Sequence, residues 1–325
     1  MTDKRVEVVD DDEEEYQFIP FSKRVDWKDV QPIEQDDGPN PICPIAYKEE
    51  FKEKMNYFRA IIRSQEKTKR VLDLIEAIIE DNPSNYTVWY YRREVLAKIE
   101  FDIDEEFDFV GTMGEADPKN YQIWNHRRYL VETYHDCTRE LEFVAERLHD
   151  DAKNYHAWAH RQWVIQTFNL WEQELPFVES LLKLDHRNNS AWNQRFFVIE
   201  HQHKLPLPAA VIAKETQYAL SFIRMSPNNE SPWSYLRGLF KGQSLLQSPE
   251  LMETLLELKG KYIGCPHVLS LLIDMYEEQN TRDSLTAALA LCTSLQNTVD
   301  QIHHNYWQYK HGKLMSKQSS LDIKV

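Results

Sequence analysis

Glycine is scarce in this chain, with eight among 325 residues. Few positions are left for tight hairpins or for glycine-rich loops that cradle phosphates. No G-x-G-x-x-G, G-x-x-x-x-G-K-[ST], G-x-S-x-G or H-E-x-x-H occurs, so the fingerprints of dinucleotide, P-loop, α/β-hydrolase and zinc-protease sites are missing. The four cysteines, Cys43, Cys137, Cys265 and Cys292, are far apart and form no C-x-x-C. That excludes a dense disulfide framework and points to a reducing compartment. No apolar N-terminal segment and no apolar run of about 18 residues is present, so the expectation is a cytoplasmic protein without stable membrane insertion. Positive charge is in deficit: 38 Lys and Arg stand against 53 Asp and Glu, a net charge of -15. A balance of that sign argues against general nucleic-acid binding. Metal-ligand signals are weak as well. His201 and His203 form an H-x-H in a proline-containing connection, and His303 and His304 are neighbours; no metal site is expected in this chain.

What is abundant is aromatic: 9 Trp, 16 Tyr and 14 Phe. Five tryptophans, at 89, 124, 158, 192 and 233, sit in related segments, among them Asn-Tyr-Thr-Val-Trp-Tyr-Tyr-Arg-Arg (85–93), Asn-Tyr-Gln-Ile-Trp-Asn-His-Arg-Arg (120–128) and Asn-Tyr-His-Ala-Trp-Ala-His-Arg (154–161). An arginine or a second arginine follows each Trp by three residues: Arg92, Arg127, Arg161, Arg195 and, displaced by one, Arg237. Successive tryptophans lie 34 or 35 residues apart except the last, which follows after 41. A period near 34 is that of a two-helix unit. In a second register, Leu74, Phe109, Phe143, Phe177 and Tyr218 precede each Trp by 15, in stretches with the i, i+3, i+4 spacing of amphipathic helices. Asn82-Pro83, Asp117-Pro118 and Ser226-Pro227 mark the turns, with Asn or Ser to cap the next helix. The prolines of 201–208 account for the long last step.

The pattern predicts an all-α chain, an α-solenoid of repeated helix pairs over residues 48–312. A degenerate copy is expected near Trp307, an acidic disordered tail over 1–16, an extended arm over 17–47, and a frayed tail over 313–325. Trp and Arg three apart share a helix face, and repeated residues build repeated interfaces. The plain reading of both is therefore structural: Trp as a wedge, and Arg stacked on a ring or bonded to a neighbouring carboxylate or carbonyl. The helix starts read differently. Tyr86, Tyr121 and Tyr155 stand three before their Trp, followed by Thr87, Gln122 and His156, with Lys119 beside the second. Such a ladder would line one polar edge where an anionic ligand could lie; ordinary capping and turn filling explains the same residues.

The segments 118–128, 151–165 and 187–195, with Asp36-Asp37-Gly38-Pro39-Asn40-Pro41 in the arm, resemble protein prenyltransferase α subunits, in particular the one shared by farnesyltransferase and type I geranylgeranyltransferase. The resemblance covers roughly 18–312. It implies a right-handed, crescent-shaped solenoid wrapped around a β subunit that holds the catalytic Zn2+ and most of the lipid pocket, with Mg2+ serving the farnesyl reaction. Partners implied are that β subunit, prenyl diphosphate, and CaaX proteins such as small GTPases. By position, Lys119 matches the lysine that reaches the diphosphate, and Gln122 the glutamine that bonds the CaaX carboxylate. Tyr86, Tyr121, Tyr155 and His156 match residues of the same rim, the first two on the substrate side and the last two nearer the chemistry. Two other readings stay open. The α subunit of Rab geranylgeranyltransferase shares the repeat, though it typically adds domains that a chain of this length is not expected to hold. A helical-repeat scaffold without catalytic role also fits the Trp and Arg pattern.

Overall fold

A computed structural model describes residues 19–322. The expected acidic tail over 1–16 lies outside the described residues. Among those described, every regular element is helical, and 15 α-helices follow one another. The first seven are α1 (Glu49–Ser64), α2 (Lys69–Asp81), α3 (Tyr86–Leu96), α4 (Ile103–Ala116), α5 (Tyr121–Tyr134), α6 (Glu140–Asp150) and α7 (Tyr155–Phe168). Next come α8 (Glu174–Leu184), α9 (Asn189–His203), α10 (Ala209–Met225) and α11 (Glu230–Leu239). The last four are α12 (Pro249–Lys261), α13 (Pro266–Gln279), α14 (Arg282–Ser294) and α15 (His304–Asp322). The all-α solenoid of helix pairs is thus the fold observed. The chain divides into two compact units: residues up to Arg147 with Asn154–His160, and Leu148–Lys153 with Arg161 onward.

In the first unit the described residues of the arm form no α-helix. Two short 3-10 turns, Phe21–Lys23 and Val25–Trp27, bury Phe21 and Trp27. Trp27 meets Phe21 edge-on at 5.0 Å and Tyr57 of α1 at 5.5 Å. Helix α2 shows why the pairs form. Val71, Leu74, Ile75, Ile78 and Ile79 recur at i, i+3, i+4, i+7 and i+8 and are all fully buried. Each such side chain is worth about 1.5–3 kcal/mol on burial, as an upper bound.

The second unit has one continuous core from Val178 to Leu314. It contains a helix pair that the Trp pattern does not reveal. In α12–α13, Leu269 stands where a Trp would, and Cys265 takes the cap position that asparagine holds elsewhere. Trp307 belongs to the following pair, α14–α15. The fraying expected from 313 is not observed: α15 runs to Asp322 because Leu314 is fully buried and Lys317 bonds the Glu277 carbonyl at 2.9 Å. His201 and His203 lie in the last turn of α9, not in a connection, and His201 stacks on Trp171 at 3.6 Å.

The repeated residues fasten one pair to the next. Asn85, Asn120, Asn188 and Asn229 cap α3, α5, α9 and α11 through their side-chain oxygens. The amides of Asn154, Asn188 and Asn229 donate in turn to the carbonyls of Pro118, Ala152 and His186 in the preceding turn. Trp89, Trp124, Trp192 and Trp233 each donate their indole N–H to the carbonyl six residues back, at 2.8–3.0 Å.

A buried ladder runs beneath. Arg92, Arg127, Arg161 and Arg195 pair with Glu106, Glu140, Glu174 and Glu215. Each glutamate also bonds one residue of the helix that follows its own: His126, His160, Gln194 and Tyr235 respectively. The guanidinium groups lie over Phe109, Phe143, Phe177 and Tyr218 at 3.5–4.1 Å. The structural reading of the arginines therefore holds. The glutamates escape a reading centred on aromatics, yet each stands 18 positions before a Trp. Burial would raise the Glu106 carboxyl, but the bonds from His126 and Arg92 outweigh it and hold it at about 2. Arg93 donates to Nδ1 of His126 at 3.3 Å, so Nε2 carries the proton given to Glu106. That is a neutral imidazole, in agreement with the burial that lowers its pKa.

Candidate functional site

Six residues singled out by position, Tyr86, Lys119, Tyr121, Gln122, Tyr155 and His156, all fall in the first unit, at or beside the starts of α3, α5 and α7. Their local geometry follows from the cap. An asparagine at the N-cap leaves the next residue, the Tyr, as the first helical one and turns it outward. Tyr86, Tyr121 and Tyr155 are 72, 70 and 73% exposed, an unusual state for so large an apolar ring. Lys119 is exposed, and Gln122 and His156 are half-buried. Lys119 and Gln122 flank one cap, Asn120, within a single helix pair.

The amides at these helix starts are taken. Gln122 N–H donates to Asn120 at 2.9 Å, and His156 and Ala157 N–H to Asn154 at 2.9 and 3.1 Å. An anion at this edge would thus meet side chains and the positive end of the helix dipole rather than those amides. This sharpens the expectation drawn from the helix starts: capping is real, and it coexists with an exposed polar edge.

Between α5 and α7 the edge is packed. The His156 ring meets Tyr121 edge-on at 4.3 Å, lies parallel to Trp124 at 6.4 Å, and contacts Tyr155 at 5.6 Å. It also hydrogen-bonds the backbone of Lys119, while burial lowers its pKa. Sequence position alone had joined Tyr121, Tyr155 and His156 to Lys119 only as members of one rim. The ring contacts and the bond to Lys119 depend on two successive helix pairs and have no local signal. Among the described residues, Tyr86 at the start of α3 makes no ring contact or hydrogen bond with the other five.

A separate cleft of about 560 Å³ lies between the arm and α1, lined by Gln35, Asp37, Tyr47, Lys52 and Arg59 among others, and holds none of the six. Among the described residues no group of three or more His, Cys, Asp or Glu side chains is placed to hold a metal ion. No described helix is long and apolar enough to cross a membrane.

Helix pairs fastened in one register, with an exposed Tyr, Lys and Gln edge, define an α-helical repeat protein whose polar edge is open to a ligand or partner. A family model, "Protein prenyltransferase alpha subunit repeat", matches residues 68–99, 103–134, 137–168, 171–202 and 212–243. These spans coincide with α2–α3 through α10–α11. The chain is 55% identical over 310 residues to the protein farnesyltransferase/geranylgeranyltransferase type-1 subunit alpha of Dictyostelium discoideum, covering 93% of this chain and 96% of that one. It is 43% identical to the corresponding subunit of Solanum lycopersicum, over 90% of each chain. Its fold is similar to a chain of Candida albicans protein geranylgeranyltransferase-I complexed with GGPP, with a TM-score of 0.80 and 29% identity, over 90% of this chain and 99% of that one. This chain belongs to the protein prenyltransferase alpha subunit family.

Proposed function

We propose that this chain is the α subunit of a heterodimeric protein prenyltransferase. The enzyme transfers a farnesyl or geranylgeranyl group from the prenyl diphosphate to the cysteine thiol of a C-terminal CaaX motif. The sulfur–C1 bond forms, the C1–oxygen bond breaks, and diphosphate leaves. In this reading the exposed ammonium of Lys119 offsets negative charge as it accumulates on the leaving diphosphate. Gln122, one helical turn on, donates its amide N–H to the carboxylate of the peptide's last residue. The rings of Tyr86 and Tyr121 form the substrate side of the rim, with Tyr155 and His156 closer to the reacting atoms.

The chain acts only with its β subunit, to which the Zn2+ is assigned; that ion would keep the substrate sulfur as thiolate, and Mg2+ would assist the farnesyl reaction. We assign the complex to the cytoplasm, where its cysteines stay reduced.

The observation that carries the proposal is the placement of Lys119 and Gln122 on either side of one cap, at an exposed edge, in a chain 55% identical to a subunit of this name. The test is co-expression with candidate β subunits, followed by transfer assays on CaaX peptides with each prenyl diphosphate. Copurification and transfer are expected. Absence of both with every β subunit would overturn the proposal.

A further inference from the structure

The turn that carries Lys119 is held by more side-chain donors than its own helix supplies. The carbonyl of Pro118 accepts from Trp124 Nε1 at 2.9 Å and from Asn154 Nδ2 at 2.9 Å. The next residue, Lys119, is bonded through its backbone by the His156 ring. Asn154 and His156 both belong to the start of α7, so the following helix pair clamps two successive backbone groups beside the lysine. The His156 ring is fixed for this task. The backbone N–H of His156 is bonded to the Asn154 cap, one face of the ring lies along Trp124, and Tyr121 meets the ring edge-on at 4.3 Å.

The same device recurs once in the second unit. His267 lies along Trp233 at 6.2 Å and bonds the backbone of Asn228, and Cys265 Sγ contacts the Pro227 carbonyl at 3.3 Å. There the clamped residue is an asparagine. Lys153 and Arg187 occupy the register of Lys119 in later repeats, but the residues at the register of His156 that follow them are Ser190 and Ser231, whose short hydroxyls supply no ring. Among the three cations of this register, Lys119 alone is followed by a histidine.

We infer that His156 is a positioning residue: it fixes the backbone of Lys119, and so the reach of its ammonium, rather than exchanging a proton with substrate. The inference rests on the role proposed above for Lys119. A shift of about 1 Å in a charge-stabilising group costs on the order of 100-fold in rate, so a loosened Lys119 turn has a measurable effect.

Two variants separate the ring's contacts. His156→Phe keeps the packing on Trp124 and Tyr121 and loses the ring N–H. His156→Gln loses the ring and keeps an amide donor, and glutamine is already accommodated at this register as Gln122. Both are assayed in the heterodimer by single-turnover prenyl transfer, alone and combined with Lys119→Ala. His156→Phe is expected to slow transfer roughly tenfold with little change in peptide KM. His156→Gln is expected to recover most of that loss, and neither is expected to slow Lys119→Ala further. A wild-type rate for His156→Phe, or additive losses in the double variant, would overturn the positioning role. If Lys119→Ala itself transfers at the wild-type rate, the role proposed for Lys119 falls, and the inference with it.

Discussion

His126 is a buried, neutral imidazole bonded to Glu106 and Arg93, with Arg92 close by and its ring beside Trp89 and Tyr129. Its folded pKa is lowered from the ordinary 6.5 by burial. The sign follows directly. Above 6.5 neither state takes up the proton and the full stability is present; below it the unfolded chain binds a proton that the folded one resists, and stability is lost as pH falls. The contribution is at most about 1.4 kcal/mol for each pH unit below 6.5. The informative perturbation is His126→Gln, because the protein already uses glutamine at the same position of another rung. Gln194 donates to Glu174 at 2.7 Å and accepts from Gln162 at 2.8 Å, just as neutral His126 donates to Glu106 and accepts from Arg93. The variant therefore keeps both bonds and removes the titration. Its cost at pH 7.5 is expected to be below about 1.5 kcal/mol, that of a shape change in a packed site. Urea unfolding of wild type and variant, at intervals from pH 7.5 to 5.5, measures the difference. The wild type should lose stability faster than His126→Gln below pH 6.5, so the two curves approach each other or cross. Other titrating groups, His156 and His267 among them, act on both proteins and cancel. Parallel curves would refute the assignment of a neutral, buried His126.

Four further outcomes are expected. Glu106→Ala leaves buried Arg92 with only the longer pair to Glu76 at 3.8 Å and His126 without its acceptor, and should cost about 3–5 kcal/mol, read from the shift of the urea midpoint. Asn154→Ala removes a cap and the bond to Pro118 together, and should cost about 1–2 kcal/mol by the same measurement. Lys119→Ala should lower single-turnover prenyl transfer by about 100-fold while the heterodimer still forms on a sizing column. Gln122→Ala should weaken CaaX peptide binding by about tenfold, the worth of one hydrogen bond to a charged group; titration calorimetry checks it, and equal affinity would count against the role.

Much of the fold was legible because each repeat states its own helices. The Trp, Asn and turn residues at fixed spacing are local signals: a cap works on the helix it begins, and an apolar stripe on the helix that carries it. The edge bearing Lys119 and Gln122 was legible for the same reason, since both flank one cap. The pair α12–α13 was hidden because Leu269 supplies the packing that Trp supplies elsewhere, and Cys265 the contact to the preceding turn that Asn supplies, without a side-chain cap bond; the physics asks only for an apolar wedge and a turn contact. The end of α15 has no local signal because Leu314 and Lys317 find their partners in other helices.

What the sequence determined by itself is therefore the unit of construction: a helix pair of about 34 residues, its caps, its apolar faces, and the register at which side chains reach the exposed edge. Tertiary structure decided which residues act together across repeats. Glu106 is an ordinary helix-surface glutamate until Arg92 from the helix before and His126 from the helix after enclose it. His126 acquires its tautomer only from Arg93, and His156 its bond to Lys119 only when α7 packs on the turn before α5. Each of these couplings joins residues 14 to 37 positions apart, beyond the reach of local spacing. Their strength comes from burial, which exists only once neighbouring pairs have stacked.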